Sequence, residues 1–319
     1  MNNTDIQNKV FFVTGATGLI GMNLSRYLLN SGAHVVCAAR SEAKARKLDF
    51  FDAVEWAFGD MSQPYVYEGH IDYIIHTASP TDSQYFIDHP VETINDTVLA
   101  MNHILNFAKD KAVSGFVFTS SLEVYGICTE DRFLREDEYY GIDCTNVRSS
   151  YAEGKKLLEC LAVSYCREYG VPVKIVRLCQ TFGRGVTKED NRVFAQFARS
   201  VLQGRDILLV TKGETKRSYC SVEDAVQGIL TVLLNGADGE AYNIASDHTY
   251  CSIYDMARAF AKGTNSNVIV GEGSSNQYQP TIQFGLDTSK AKKIGFVPND
   301  DLESMISKFL AYYKAILSD

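Results

Sequence analysis

An α/β fold with a doubly wound parallel sheet is the architecture this sequence predicts, and three features predict it. Short apolar runs alternate with longer amphipathic stretches through the first half of the chain. The apolar runs are near-continuous in Val, Ile, Phe and Ala, as strands covered on both faces are. A glycine-spaced turn joins the first apolar run to the first amphipathic stretch, the arrangement of a strand feeding a helix.

Val10–Thr14 (VFFVT) reads as the first strand and Leu19–Ser31 as the first helix. His34–Ala39 is a second strand, and Glu42–Leu48 continues helically. Val54–Phe58 and Tyr73–His76 are further strands, and Val91–Asp110 is a long helix leading to the strand Phe116–Thr119. Ser149–Tyr169 is another long helix, with the strand Val173–Leu178 after it. Beyond Cys179 the rhythm loosens: Arg192–Leu202 and Ser252–Ala261 look helical, and Gly271–Thr281 is rich in Gly, Ser and Gln and loop-like.

The chain has 319 residues, 45% of them hydrophobic and 22% charged, with a net charge of −8. That is enough chain for a large core. The acidic balance argues against a nucleic-acid partner, which selects a basic face; a small anionic ligand stays compatible, because a local Arg cluster can sit inside an acidic surface. The eight cysteines contain no C-x-x-C pair and the six histidines no metal-site spacing, so neither a disulfide framework nor a metal site is expected. The N-terminal MNNTDIQNKV has neither a basic start nor an apolar run, and no stretch reaches the ~20 apolar residues of a membrane span. A cytoplasmic protein without a membrane partner is expected.

The turn Thr14-Gly15-Ala16-Thr17-Gly18-Leu19-Ile20-Gly21 sits between the first strand and helix. Gly15 permits the tight turn, Gly18 lets backbone approach a pyrophosphate, and Gly21 lets helix and strand pack closely. The helix N-terminus then offers free N–H groups and a favourable dipole to phosphate. The expectation is a Rossmann fold with a smaller interleaved C-terminal substrate lobe. Its dinucleotide-binding part would cover 1–178 plus roughly 220–245, its lobe 179–219 and 246–319. An NAD site places an acid after the second strand; here stand Arg40 and Ser41, with Lys44 and Arg46 following. An Arg there suits a 2′-phosphate, so NADP is favoured. NAD is the alternative, with Arg40 stacking on adenine and Glu42 on the ribose. Asp60 and Met61, after the third strand, are placed at the adenine edge.

Tyr151 and Lys155 stand at i and i+4 on a helical stretch and share a face. An ammonium near a phenol stabilises phenolate and brings its pKa toward neutrality. Ser120-Ser121-Leu122-Glu123-Val124-Tyr125-Gly126 follows a strand at the ligand-binding edge of such sheets. If extended, it points Ser121 and Glu123 the same way, Ser121 to a substrate oxygen and Glu123 to the substrate's far side.

With these residues in place the chain resembles the extended short-chain dehydrogenase/reductase family, in its nucleotide-sugar branch. The resemblance runs over nearly the whole chain. It rests on TGATGLIG, His76-Thr77-Ala78-Ser79, SSLEVYG, Tyr151-Ala152-Glu153-Gly154-Lys155, Thr181-Phe182-Gly183, and Lys216-Arg217-Ser218-Tyr219 before Val222-Glu223-Asp224. HTASPT, the Glu123/Glu153 pair and Asp190-Asn191-Arg192-Val193-Phe194 look most like UDP-glucuronate decarboxylases. The resemblance implies Ser121, Tyr151 and Lys155 as catalytic triad, assisted by Glu123. It implies cofactor contacts from Gly15, Thr17, Gly18, Leu19, Ile20, Gly21, Thr77, Ala78 and Ser79. Arg217 would meet the nucleotide diphosphate and Arg192 and Val193 the nucleotide end, with Glu153, Gln180 and Tyr219 at the substrate. It also implies a homodimer through the helix bearing Tyr151 and the long helix before it.

Three departures stand out. Gln180 replaces the family's Asn, Arg40 replaces an acid, and Leu122 stands where dehydratases carry the Asp of an Asp-Glu pair. Leu cannot donate the proton that water elimination needs. Three functions are compared. Net NADPH-dependent reduction of a nucleotide-linked keto-sugar, for example a CDP-linked ketose to a sugar alcohol in bacterial surface-polymer synthesis, is placed first. Internal redox, as in a UDP-glucuronate decarboxylase or a 4-epimerase with bound NAD, follows closely. A catalytically dead cofactor-sensing module is third, and the intact Ser121/Tyr151/Lys155 set argues against it.

Overall fold

The computed structural model describes residues 5–80, 83–271 and 281–318. Of the loop expected at Gly271–Thr281, residues 272–280 lie outside the described residues, as does Thr81 of HTASPT. In chain order the N-terminal half runs β1 (Val10–Thr14), α1 (Leu19–Asn30), β2 (His34–Ala39), α2 (Glu42–Ala45), β3 (Glu55–Phe58), β4 (Tyr73–His76), α3 (Ser83–Asp88), α4 (Pro90–Lys111), β5 (Gly115–Ser121), β6 (Arg132–Leu134), α5 (Ser150–Tyr169) and β7 (Val173–Leu178). It continues with β8 (Gln180–Phe182), α6 (Val193–Leu202), β9 (Ile207–Leu209), β10 (Lys216–Arg217), β11 (Tyr219–Ser221), α7 (Val222–Asn235), β12 (Ala241–Ile244), β13 (Cys251–Ser252), α8 (Ile253–Ala261), β14 (Val268–Val270), β15 (Gln283–Leu286), α9 (Ser289–Lys293) and α10 (Leu302–Ser318).

Seven strands form one parallel sheet in the order β12-β7-β5-β4-β1-β2-β3. The period-2 alternation of each strand divides its side chains between two cores. Phe11, Val13, Val35, Cys37 and Val117 face one side, packed with Leu24 and Leu28 of α1 and Ala225 and Ile229 of α7. Phe12, Val36, Ala38, Phe116 and Phe118 face the other, packed with Met101 and Ile104 of α4 and Leu158 and Ala162 of α5. The doubly wound Rossmann architecture is therefore present. The strand order reverses between β1 and β4, which puts the ligand crevice at their C-terminal ends.

A third apolar cluster is built from α6, α8, α10 and the aromatic rings of Phe182, Phe194, Phe260 and Phe309. Beside it, β13, β10, β15 and β6 make a four-stranded sheet, so β6 reaches from the first half of the chain into the second.

Candidate active site

The glycines of the first turn are fixed by close packing. Gly15 has φ +67°, and a Cβ there would lie 2.9 Å from the Ala78 backbone; a Cβ on Gly21 would lie 2.3 Å from the Gly15 carbonyl oxygen. Gly18 caps α1 without a side chain, and the first turn of α1 carries no acid. The N–H groups of the Leu19–Gly21 turn are thus left for an anion. The Thr77–Ser79 segment is held against this turn: Thr77 Oγ1 donates to the Thr14 carbonyl at 2.7 Å, and the Ala78 N–H donates to Thr14 Oγ1 at 3.3 Å. These residues fit a dinucleotide diphosphate.

At the far end of that crevice Arg40 is exposed just past β2. Its charge reaches Asp60, whose carboxyl is held low first by hydrogen bonds from Ser62 and then by Arg40. Ser41 caps α2, its Oγ accepting from the Lys44 N–H at 3.3 Å. Glu42, the alternative ribose ligand, is taken by Arg46 at 3.0 Å along α2. Met61 presents its carbonyl to His103 Nδ1 at 3.1 Å.

The chain turns sharply after β5. Ser121 ends the strand and Leu122–Tyr125 form a 3-10 turn, with Ser121 Oγ accepting the Glu123 N–H at 3.2 Å. The expected extended segment is therefore absent, and Ser121 and Glu123 meet through this cap instead of strand alternation. Leu122 is buried in the core. Glu123 is gripped by Arg148, whose Nη1 and Nη2 each donate to one carboxylate oxygen at 3.0 Å.

Tyr151 lies in the first turn of α5, near enough to Ser121 for that hydroxyl to act on its phenol. Its ring stacks on Phe86 of α3 at 4.4 Å and 11°. Burial and the Glu123 charge push the Tyr151 phenol up, with Ser121 and Arg148 opposing. Lys155, 4% exposed, donates from Nζ to the Thr119 carbonyl at 2.9 Å and lies 5.8 Å from the Tyr151 ring centroid. Burial brings the Lys155 ammonium down to about 7, with Glu159 pulling it back up. The shared face of Tyr151 and Lys155 is present, but the expected lowering of the phenol by Lys155 is not: burial and Glu123 prevail. His76, behind Lys155, is held neutral, its pKa brought down to about 3 by burial and then by Lys155.

The second-half residues divide. Arg217 is half-buried on β10 and has no carboxylate partner among the described residues. Gln180 starts β8, half-buried. Arg192 precedes Val193 at the start of α6 and is held by Asp190, with Nε at 3.1 Å and Nη2 at 2.6 Å from its oxygens. Glu153 accepts from Lys156 at 2.9 Å. Tyr219, expected at the substrate, is 2% exposed and packs in the third apolar cluster beside Phe182; its place is the core, because β11 turns it inward.

Sequence reasoning missed Arg148 and Phe86. Arg148 lies three residues before Tyr151, one helical turn away, and that spacing was the available signal. Phe86 comes from a short helix remote in sequence and left no local sign.

The family model described as "NAD dependent epimerase/dehydratase family" matches residues 11–245. The chain is 28% identical over 295 residues to UDP-glucuronic acid decarboxylase 3 of Arabidopsis thaliana, covering 90% of this chain and 83% of that protein. It is 30% identical over 307 residues to UDP-glucuronic acid decarboxylase 1 of the same plant, covering 93% and 69%. Among solved structures, the UDP-glucose 4-epimerase of Thermotoga maritima aligns with a TM-score of 0.84 at 19% identity, over 97% of this chain and 99% of that one. The UDP-glucuronic acid 4-epimerase of Bacillus cereus, solved with NAD, aligns at 0.78 and 20% identity, over 96% and 99%. Glycine turn, Ser121/Tyr151/Lys155 cluster and family match agree: this chain belongs to the NAD-dependent epimerase/dehydratase family of nucleotide-sugar enzymes.

Proposed function

We propose that the protein performs internal redox on a UDP-linked uronic acid: C4 is oxidised, the carboxylate leaves C5 as carbon dioxide, a proton from solvent takes its place at C5, and C4 is reduced again. In this reading Ser121 orients the C4 hydroxyl, Tyr151 takes and returns its proton, and Lys155 holds the cofactor ribose. A nicotinamide cofactor, when bound against Gly15–Gly21 and Lys155, would supply the hydride acceptor for C4 oxidation and the donor for its reduction. Arg217 meets the diphosphate; Arg192, Val193 and Gln180 border the nucleotide and sugar.

The observation that carries the reading is the Glu123–Arg148 pair beside Tyr151. A carboxylate held on both oxygens by guanidinium is an acceptor, not a proton donor. With Leu122 in the core, water elimination has no acid here. Because Arg148 balances Glu123, a uronate carboxylate does not meet an uncompensated negative wall. The Arabidopsis decarboxylases, similar along nine-tenths of the chain, support the same chemistry.

Arg40 favours a second reading, net reduction of a nucleotide-linked ketose by NADPH. Among the described residues it makes no ion pair, acting only by charge on Asp60, and Glu42 is occupied by Arg46. One assay separates the two. Purified protein given UDP-glucuronate without reductant should release carbon dioxide and a UDP-pentose, read by mass spectrometry. NADPH consumption with keto-sugars, and no reaction of UDP-glucuronate, would select the reductase.

A further inference from the structure

We propose that Arg148 is a positioning residue for Tyr151: it clamps the Glu123 carboxylate in a bidentate pair whose two charges cancel at the catalytic hydroxyl. The inference rests on Tyr151 being the acid–base group of the reading above. Three contacts carry it. The pair is double, 3.0 Å at each oxygen, and both side chains are about four-fifths buried, at 19% and 22% exposure. Glu123 is tied to Ser121 through its own N–H, and Ser121 is the neighbouring group that lowers the Tyr151 phenol. The Arg148 guanidinium also lies over the ring of Phe86, 5.2 Å from its centroid, and that ring stacks on Tyr151. One charged pair therefore acts on the phenol by its charges and, through the Phe86 ring, by packing.

The charged and titratable groups around Tyr151 can be named element by element. Ser121 and Glu123 come from the end of β5, Arg148 from the turn before α5, and Lys155 from α5 itself. The α3 element contributes the uncharged Phe86, and behind Lys155 stands the neutral His76 of β4. Lys155 is held by the Thr119 carbonyl. Within this set only Glu123 opposes phenolate formation by charge, and Arg148 is the group bound to it. Removing Arg148 leaves a lone anion facing the phenol, and removing the Glu123 charge leaves a lone cation.

The test is the pH profile of turnover for Glu123→Gln, Arg148→Met, Arg148→Lys and the double variant Glu123→Gln/Arg148→Met. Phenolate titration is followed in parallel as the near-ultraviolet difference between each protein and its Tyr151→Phe counterpart. We expect the Tyr151 limb to move to lower pH in Glu123→Gln and to higher pH in Arg148→Met. It should return toward wild type in the double variant and stay near wild type in Arg148→Lys. Single shifts of the same sign, no shifts, or a double variant that keeps the Arg148→Met shift would overturn the proposal. Should Arg148→Met not fold, Glu123→Gln and Arg148→Lys decide it. The spectral titration needs no substrate, so failure of UDP-glucuronate to react would sink the functional reading and leave this test standing.

Discussion

Lys155 carries a conflict between stability and chemistry. Its ammonium is buried and its pKa is down to about 7 from the ordinary 10.5. Between those values the unfolded chain binds a proton that the folded chain has released, so stability rises with pH through that window. Below pH 7 the fold bears the full cost of a buried cation. Lys155→Met should therefore be more stable than wild type below pH 7 by on the order of 1–3 kcal/mol, the gain fading toward pH 10.5. Glu159 does not lose its main partner in that variant, since Arg177 holds it at 2.8 and 3.0 Å. Melting curves on either side of pH 7 check the sign; lower stability of the variant on both sides would contradict it.

Two further outcomes belong to single residues. Tyr151→Phe should lose about two to four orders of magnitude in kcat, the usual worth of an acid–base group, with cofactor affinity nearly unchanged. Arg40→Asp should weaken NADPH binding by about 1.5–3 kcal/mol if Arg40 reads a 2′-phosphate. Titration of NADPH and NADH against both proteins measures it, and unchanged NADPH affinity assigns Arg40 elsewhere.

At the scale of elements, the β1–α1 join is the part most tightly determined by its glycines. Gly21→Ala would drive a methyl into the Gly15 carbonyl at 2.3 Å. The helix must shift, and overpacking of this kind costs about 1–3 kcal/mol. Lower Tm together with weakened cofactor binding is the expected pair of results; a variant with wild-type affinity would show that the join tolerates movement. The same scale shows what was legible in the sequence. Strands β1, β2, β4 and β7 stand where their apolar runs put them, and α1, α4 and α5 within a residue of their periodic stretches. The 14-residue α7 leaves no clear period in the sequence because ten of its residues are buried, so its apolar face wraps most of the helix and blurs the 3.6-residue repeat. Strands β8 to β11 and β13 to β14 have two or three residues each, too short for alternation to register. At the site, Gly15, Gly18, Gly21, Ser121, Tyr151 and Lys155 announce themselves by motif. Arg148 and Phe86 matter through tertiary contact, which no local pattern encodes.

Over the whole molecule, α4 and α5 lie side by side on one face of the sheet and leave apolar side chains uncovered. Val91 is 62% exposed, Leu99 44% and Leu157 50%. We propose that a second copy covers this face, as the family resemblance implies. Val91→Asp/Leu157→Asp should shift sedimentation from dimer to monomer; a wild type that sediments as a monomer would refute the proposal. The division of the chain into a dinucleotide-binding part and a substrate lobe is likewise a proposal, and β6 ties its two parts together through β15. Among the described residues no helix is long and apolar enough to cross a membrane.

The central claim is that a hydride leaves C4 of a nucleotide sugar and returns to it within one active site. UDP-glucuronate deuterated at C4 tests it most directly. The account predicts a UDP-pentose that keeps deuterium at C4, slower turnover than with the unlabelled substrate, and no dependence on added reductant. Deuterium washed out of C4, or product formed only as added NADPH is consumed, would contradict it.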